Sequence, residues 1–106
     1  MQFEKDIRSP HRPLFEQARE LLLSFNGVIE TRKPRITTYS DDHGGICHLR
    51  TMPHGIDLGF LKGARMSDPN GRLSGAGKTI RVLSLKEFES ETVSYFIEQA
   101  IFLNVN

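Results

Sequence analysis

Apolar residues in this chain fall into two helical stripes with alternating segments between them. In PLFEQARELLLSFNG, residues 13–27, Leu14, Ala18, Leu21, Leu22 and Phe25 recur at the spacing of one helix face. Pro13 suits the first turn of that helix, where its missing N–H would have no partner anyway. Asn26 and Gly27 supply a left-handed stop. Near the other end Val93, Phe96, Ile97, Ala100 and Ile101 repeat the pattern, which predicts a helix over residues 90–103. Ser84 and Glu87 read as a capping box ahead of it. Residues 1–12 carry no periodic stripe and are expected to form a loosely held arm.

Between the helices the period changes to two. RITTYS (35–40), GICHLRTM (45–52), IDLGFL (56–61) and KTIRVLS (78–84) predict four strands. The parity of the apolar residues sets one register. Cys47 and Leu49 must share a face with Ile56, Leu58 and Phe60, which pairs Thr51 with Ile56, Leu49 with Leu58 and Cys47 with Phe60. Arg50 then falls opposite Asp57 on the other face, as a cross-strand charge pair. In the fourth strand Ile80 and Val82 are expected inward, with Thr79 and Arg81 outward. The resulting architecture is α+β: an antiparallel four-stranded sheet with N- and C-terminal helices packed on one face, the other face open and polar.

Composition narrows the class. With 106 residues the chain forms a single domain spanning 1–106. An apolar content of 38% and a net charge of +1 describe an ordinary soluble protein with no general attraction to nucleic acid or membrane. The single cysteine, Cys47, excludes an internal disulfide and fits a reducing compartment. The charged start MQFEKDIRSP lacks the apolar core of a secretion signal, and no apolar run approaches spanning length. The expectation is a cytoplasmic protein.

The segment GRLSGAGKT, 71–79, has the ending of a phosphate-binding loop. The spacing is wrong by one: counting back from Gly77 lands on Arg72, and Gly71 lies one place off. The context is wrong too, because the residues that follow alternate as a strand, whereas a phosphate loop opens a helix. Glycines that let a long connection, 62–77, turn tightly are the simpler reading. Lys62, Arg65, Arg72, Lys78 and Arg81 nevertheless face only Asp68 in this region and could hold a small anion.

Two other groupings have chemistry. His48, Arg50, Asp57, Gly59 and Arg81 project on or beside the open sheet face, where Gly59 leaves a shallow dent. Asp41, Asp42 and His43 are good ligand types in a turn, but their spacing with Cys47, His48 and His54 matches no zinc pattern. No nucleophile stands beside a base, so no enzyme class is indicated. The aromatics sit at helical core positions and form no stacking platform for nucleic acid.

The stretch IDLGFLKGARMSDPNGRLSGAGKTIRVLSL, 56–85, resembles the YdhG-like family, which is mostly bacterial and long catalogued as a domain of unknown function. Leu58, Gly59, Phe60, Gly63, Ala64, Asp68, Pro69, Gly71, Leu73, Gly75, Gly77, Lys78 and Arg81 carry the resemblance. It implies a frataxin-like fold of terminal helices against an antiparallel sheet. In one branch it also implies an intracellular iron chaperone or iron donor. The ligands for ferrous iron would then be Glu16, Glu20, Asp41, Asp42 and His43.

The leading expectation is a non-enzymatic binding module without a cofactor. It would hold a small anionic ligand or a protein partner with His48, Arg50, Asp57, Gly59, Arg72, Lys78 and Arg81. The iron carrier is the alternative. A homodimer is compatible with the pattern, although no apolar patch locates one.

Overall fold

The computed structural model describes residues 1–105. In chain order it contains α1 (Gln2–Ile7), α2 (Arg12–Ser24), β1 (Ile29–Arg32), β2 (Thr37–Asp41), β3 (Gly44–Met52), β4 (Gly55–Phe60), a 3-10 turn (Gly63–Arg65), β5 (Leu73–Ser74), β6 (Arg81–Leu85) and α3 (Ser90–Val105). The strands form one antiparallel sheet of six, in the order β1-β2-β3-β4-β6-β5. The four-stranded sheet is therefore corrected to six, with β1 and β5 added at the two edges.

Both additions lack a sequence signal for a physical reason. In β1 the inward positions are charged: Glu30 and Arg32 pair with Tyr39 and Thr37, which face the core. Ile29, the apolar residue, is exposed. Glu30 is tolerated inside because Arg19 of α2 binds it at 2.5 Å and the Tyr39 hydroxyl donates to it at 2.8 Å. β5 has only two residues, too few for any period.

The core lies between the helices and one sheet face. Cys47, Leu49, Ile56, Leu58, Phe60, Leu83 and Leu85 pack against Phe15, Ala18 and Leu22 of α2 and Phe96 and Ile97 of α3. The Phe60 and Phe96 rings lie 5.8 Å apart. Gly27, at φ +81°, turns the chain from α2 into β1 in a conformation a side chain would resist.

The β3–β4 register agrees with the sequence reading at every pair expected. The phase of β6 does not. Leu83 pairs with Leu58 and Leu85 with Ile56, so these leucines point inward and Val82 and Ser84 outward. Ile80 lies outside the strand and is 41% exposed. The strand starts at Arg81, after a bend through Lys78 and Thr79. The Leu83/Leu85 pair, with Leu85 beyond the expected end, sets its parity. Ser84 thus belongs to a strand and caps nothing; α3 starts at Ser90, where Val93 N–H donates to the Glu89 carbonyl at 3.0 Å.

The N-terminal arm is also corrected, because α1 is docked. Phe3 packs edge-on to Phe15, with ring centroids 5.7 Å apart. The Arg32 guanidinium lies 3.6 Å from the Phe3 ring centroid. Asp6 is fully buried; its Oδ1 accepts from Thr51 N–H at 3.0 Å, the Thr51 hydroxyl at 2.7 Å and Gln2 Nε2 at 3.0 Å. One aromatic and one carboxylate at i, i+3 hold this turn, which no apolar periodicity would reveal.

Candidate functional site on the open sheet face

The helices cover one face of the sheet, and strand register brings one row of residues across the other. Thr31, Thr38, His48, Gly59, Val82 and Ser74 are successive partners across all six strands. Next to that row, Arg50, Asp57 and Ser84 are partners across β3, β4 and β6. Four of the expected site residues, His48, Arg50, Asp57 and Gly59, therefore share this face.

The expected Arg50–Asp57 ion pair is not formed. Asp57 Oδ1 instead accepts from the Ser84 hydroxyl at 2.7 Å and bonds His54 Nε2 at 2.8 Å. Arg50 is exposed and its side chain makes no hydrogen bond or ion pair among the described residues. A serine, a histidine and an aspartate thus meet, but both partners bind the same carboxylate oxygen. A nucleophile–base arrangement needs the serine on the histidine.

His48 is half-buried. Burial first, and the positive charge of Lys33 second, hold its imidazole below its ordinary pKa, so it is neutral at pH 7. Lys33 reaches this face because the Lys33-Pro34-Arg35-Ile36 turn closes with Lys33 N–H donating to the Ile36 carbonyl at 2.9 Å. Gly59 leaves a dent: a Cβ there would lie 3.8 Å from Ile80 Cγ2 and 3.9 Å from His48 Cβ, ordinary contact distances.

The remaining expected residues lie elsewhere. Arg72 forks onto Glu89, with Nη1 at 2.6 Å and Nη2 at 2.8 Å from its oxygens. Arg81 Nη1 donates to the Gly77 carbonyl at 2.6 Å and the Ile80 carbonyl at 2.9 Å, so it closes the loop. Its Cβ points toward Gly63 on the helix side, where an added Cβ would come within 2.5 Å. Lys78 is exposed on the loop. Lys62 binds Asn104 near the end of α3. The loop cations therefore do not converge.

The carboxylates named for iron are also dispersed. Glu16 pairs with Arg12 at 2.6 Å and Glu20 is exposed on α2. Asp41 Oδ1 accepts from His43 N–H at 2.9 Å, Gly44 N–H at 3.1 Å and Asn104 Nδ2 at 3.1 Å, which makes it a turn residue. Asp42 and His43 point to solvent. Among the described residues no three His, Cys, Asp or Glu side chains are grouped to hold a metal ion.

Sequence reasoning missed Lys33, His54, Ser84 and Glu89. Lys33 was recoverable from the Pro34 turn and strand parity. Glu89 lies 17 positions from Arg72, and no local pattern connects them. Searches of protein-family models, curated proteins and solved structures return no significant match. Among the described residues no helix is long and apolar enough to cross a membrane.

Proposed function

We propose that this protein is a non-catalytic cytoplasmic binding module that holds a small anionic ligand on its open sheet face. The observation that carries this reading is the unpaired Arg50 guanidinium, beside a carboxylate already occupied by His54 and Ser84. A guanidinium presents a fork of donors suited to carboxylate or phosphate oxygens. Lys33 adds charge from the adjoining turn, and Thr31 and Thr38 add hydroxyls along the neighbouring row. The dent at Gly59 gives the ligand a place to rest, and His48, neutral at pH 7, can donate or accept at its edge. Membership of the YdhG-like family is part of the proposal and rests on the 56–85 pattern. The cytoplasmic placement rests on the buried free thiol of Cys47.

Calorimetry with inorganic pyrophosphate tests the reading. Arg50→Ala should weaken binding about tenfold or more, the loss of one charge-assisted contact. Arg72→Ala should leave it within about twofold, because Arg72 is committed to Glu89. Equal losses in the two variants would remove the open face from the account.

A further inference from the structure

We infer that the cleft between the Asp68–Arg72 turn and the first half of α3 is a second site, built for a small organic cation of the alkylammonium class. It is separate from the sheet face and takes the opposite charge. The cleft encloses about 300 Å³, within the range of small-ligand pockets. Its walls are Asp68, Arg72, Glu91, Thr92, Tyr95 and Phe96, with Pro69 and Asn70 at the turn.

Charge decides the ligand class. Arg72 is the one cation in the lining, and both its terminal nitrogens are spent on Glu89. That pair cancels. Asp68 also lies within reach of the Arg72 charge, but the carboxylates of Glu89, Asp68 and Glu91 outnumber that one cation, and the Glu91 side chain makes no hydrogen bond or ion pair among the described residues. Asp68 itself is held in place: its oxygens accept Arg72 N–H at 2.8 Å and Leu73 N–H at 2.9 Å, so the turn presents a fixed carboxylate. The positive N-terminal end of α3 is worth about half a charge, less than the full charge of Glu91 in its first turn, so a net negative charge remains.

The apolar wall fits the same ligand. Tyr95 is 40% exposed and stands edge-on to Phe96, with centroids 5.2 Å apart. The Tyr95 ring lines the cleft beside two carboxylates, and an aromatic ring so placed can hold an ammonium group. The hydroxyl of Tyr95 makes no hydrogen bond among the described residues, which leaves its oxygen available to accept from a ligand N–H. A purely apolar ligand would leave Glu91 without a partner, and an anion would meet two carboxylates.

The test is an amide NMR titration of the full chain with tetramethylammonium chloride, and separately with butylammonium chloride. Sodium chloride at equal ionic strength is the control. The expected result is a saturable shift of Asn70, Arg72, Thr92 and Tyr95 with a dissociation constant of about 1–10 mM. Glu91→Gln and Tyr95→Leu should each weaken it about fivefold. Both positions are exposed, and a native pattern of amide shifts in the ligand-free spectrum reports that each variant remains folded, whether or not the open face binds an anion. Shifts that sodium chloride reproduces, or native affinity in both variants, would overturn the inference.

Discussion

Arg50 and Asp57 stand directly opposite each other on β3 and β4, yet the carboxylate is held by His54 and Ser84 and the guanidinium is left without a partner. An exposed arginine of this kind contributes little to folding. Arg50→Ala should therefore change stability by no more than about 0.5 kcal/mol in urea unfolding. Arg72→Ala, which breaks a half-exposed bidentate pair, should cost about 0.5–1 kcal/mol after solvent screening. A large loss in Arg50→Ala would mean that the residue serves the fold.

The two glycines Gly59 and Gly63 should respond in opposite ways to an added methyl group. Gly59→Ala has ordinary room and should fold with native stability, while Gly59→Leu fills the dent and should weaken anion binding. Gly63→Ala would drive a Cβ to 2.5 Å from Arg81 Cβ and 2.8 Å from its amide nitrogen. Overpacking of this kind should cost about 1–3 kcal/mol, read from the thermal midpoint.

Burial pushes the Glu30 carboxyl up, but hydrogen bonds from Arg19, Tyr39 and Arg32 outweigh it and hold the group below its ordinary value. The folded state therefore favours the ionised form. This contribution is present above the unfolded pKa of about 4.3 and is lost as pH falls through the lower folded value. Tyr39→Phe removes one donor and should cost about 1 kcal/mol at neutral pH. The cost should shrink in acid, checked by unfolding at a series of pH values.

His48 gives the opposite kind of group the same slope. Its folded pKa is depressed by burial and by Lys33, so the unfolded chain binds the proton more readily. Stability falls as pH drops through the unfolded value of about 6.5 and levels off below the folded one. Imidazole NMR should show His48 titrating below the ordinary value. Bound pyrophosphate, by offsetting Lys33, should raise it. A downward shift on binding would place the anion elsewhere.

Cys47 is buried, and burial pushes its thiol well above the ordinary range. Iodoacetamide should label it only at the rate of unfolding. Labelling of the native protein at the rate of a free thiol would contradict the core described above.

How much of this was legible in the sequence depended on whether a residue's partner was near in pattern. The β3–β4 register followed from apolar parity on two strands, and each strand constrained the other. The fate of Asp57 did not follow, because His54 comes from the turn and Ser84 from a strand whose phase was set by Leu85. β1 stayed hidden because its inward positions are Glu30 and Arg32, and an ion-paired inward face reads as a loop. The docking of α1 rests on Phe3 and on the buried carboxylate of Asp6, which resembles any surface aspartate until Thr51 is placed beside it. On the open face His48, Arg50, Asp57 and Gly59 were legible from alternation. Arg72 was misplaced because a loop has no period to orient its side chains, and Arg81 because Ile80 and Val82, not Leu83 and Leu85, were read as the inward positions of its strand.

The central claim is that the open face around Arg50 receives an anion, and an amide NMR titration with pyrophosphate tests it most directly. The account predicts saturable shifts confined to Thr38, His48, Arg50 and Gly59, reached only at about tenfold or more higher pyrophosphate in Arg50→Ala. Shifts confined to residues 75–79, or no saturable shift at all, would contradict it.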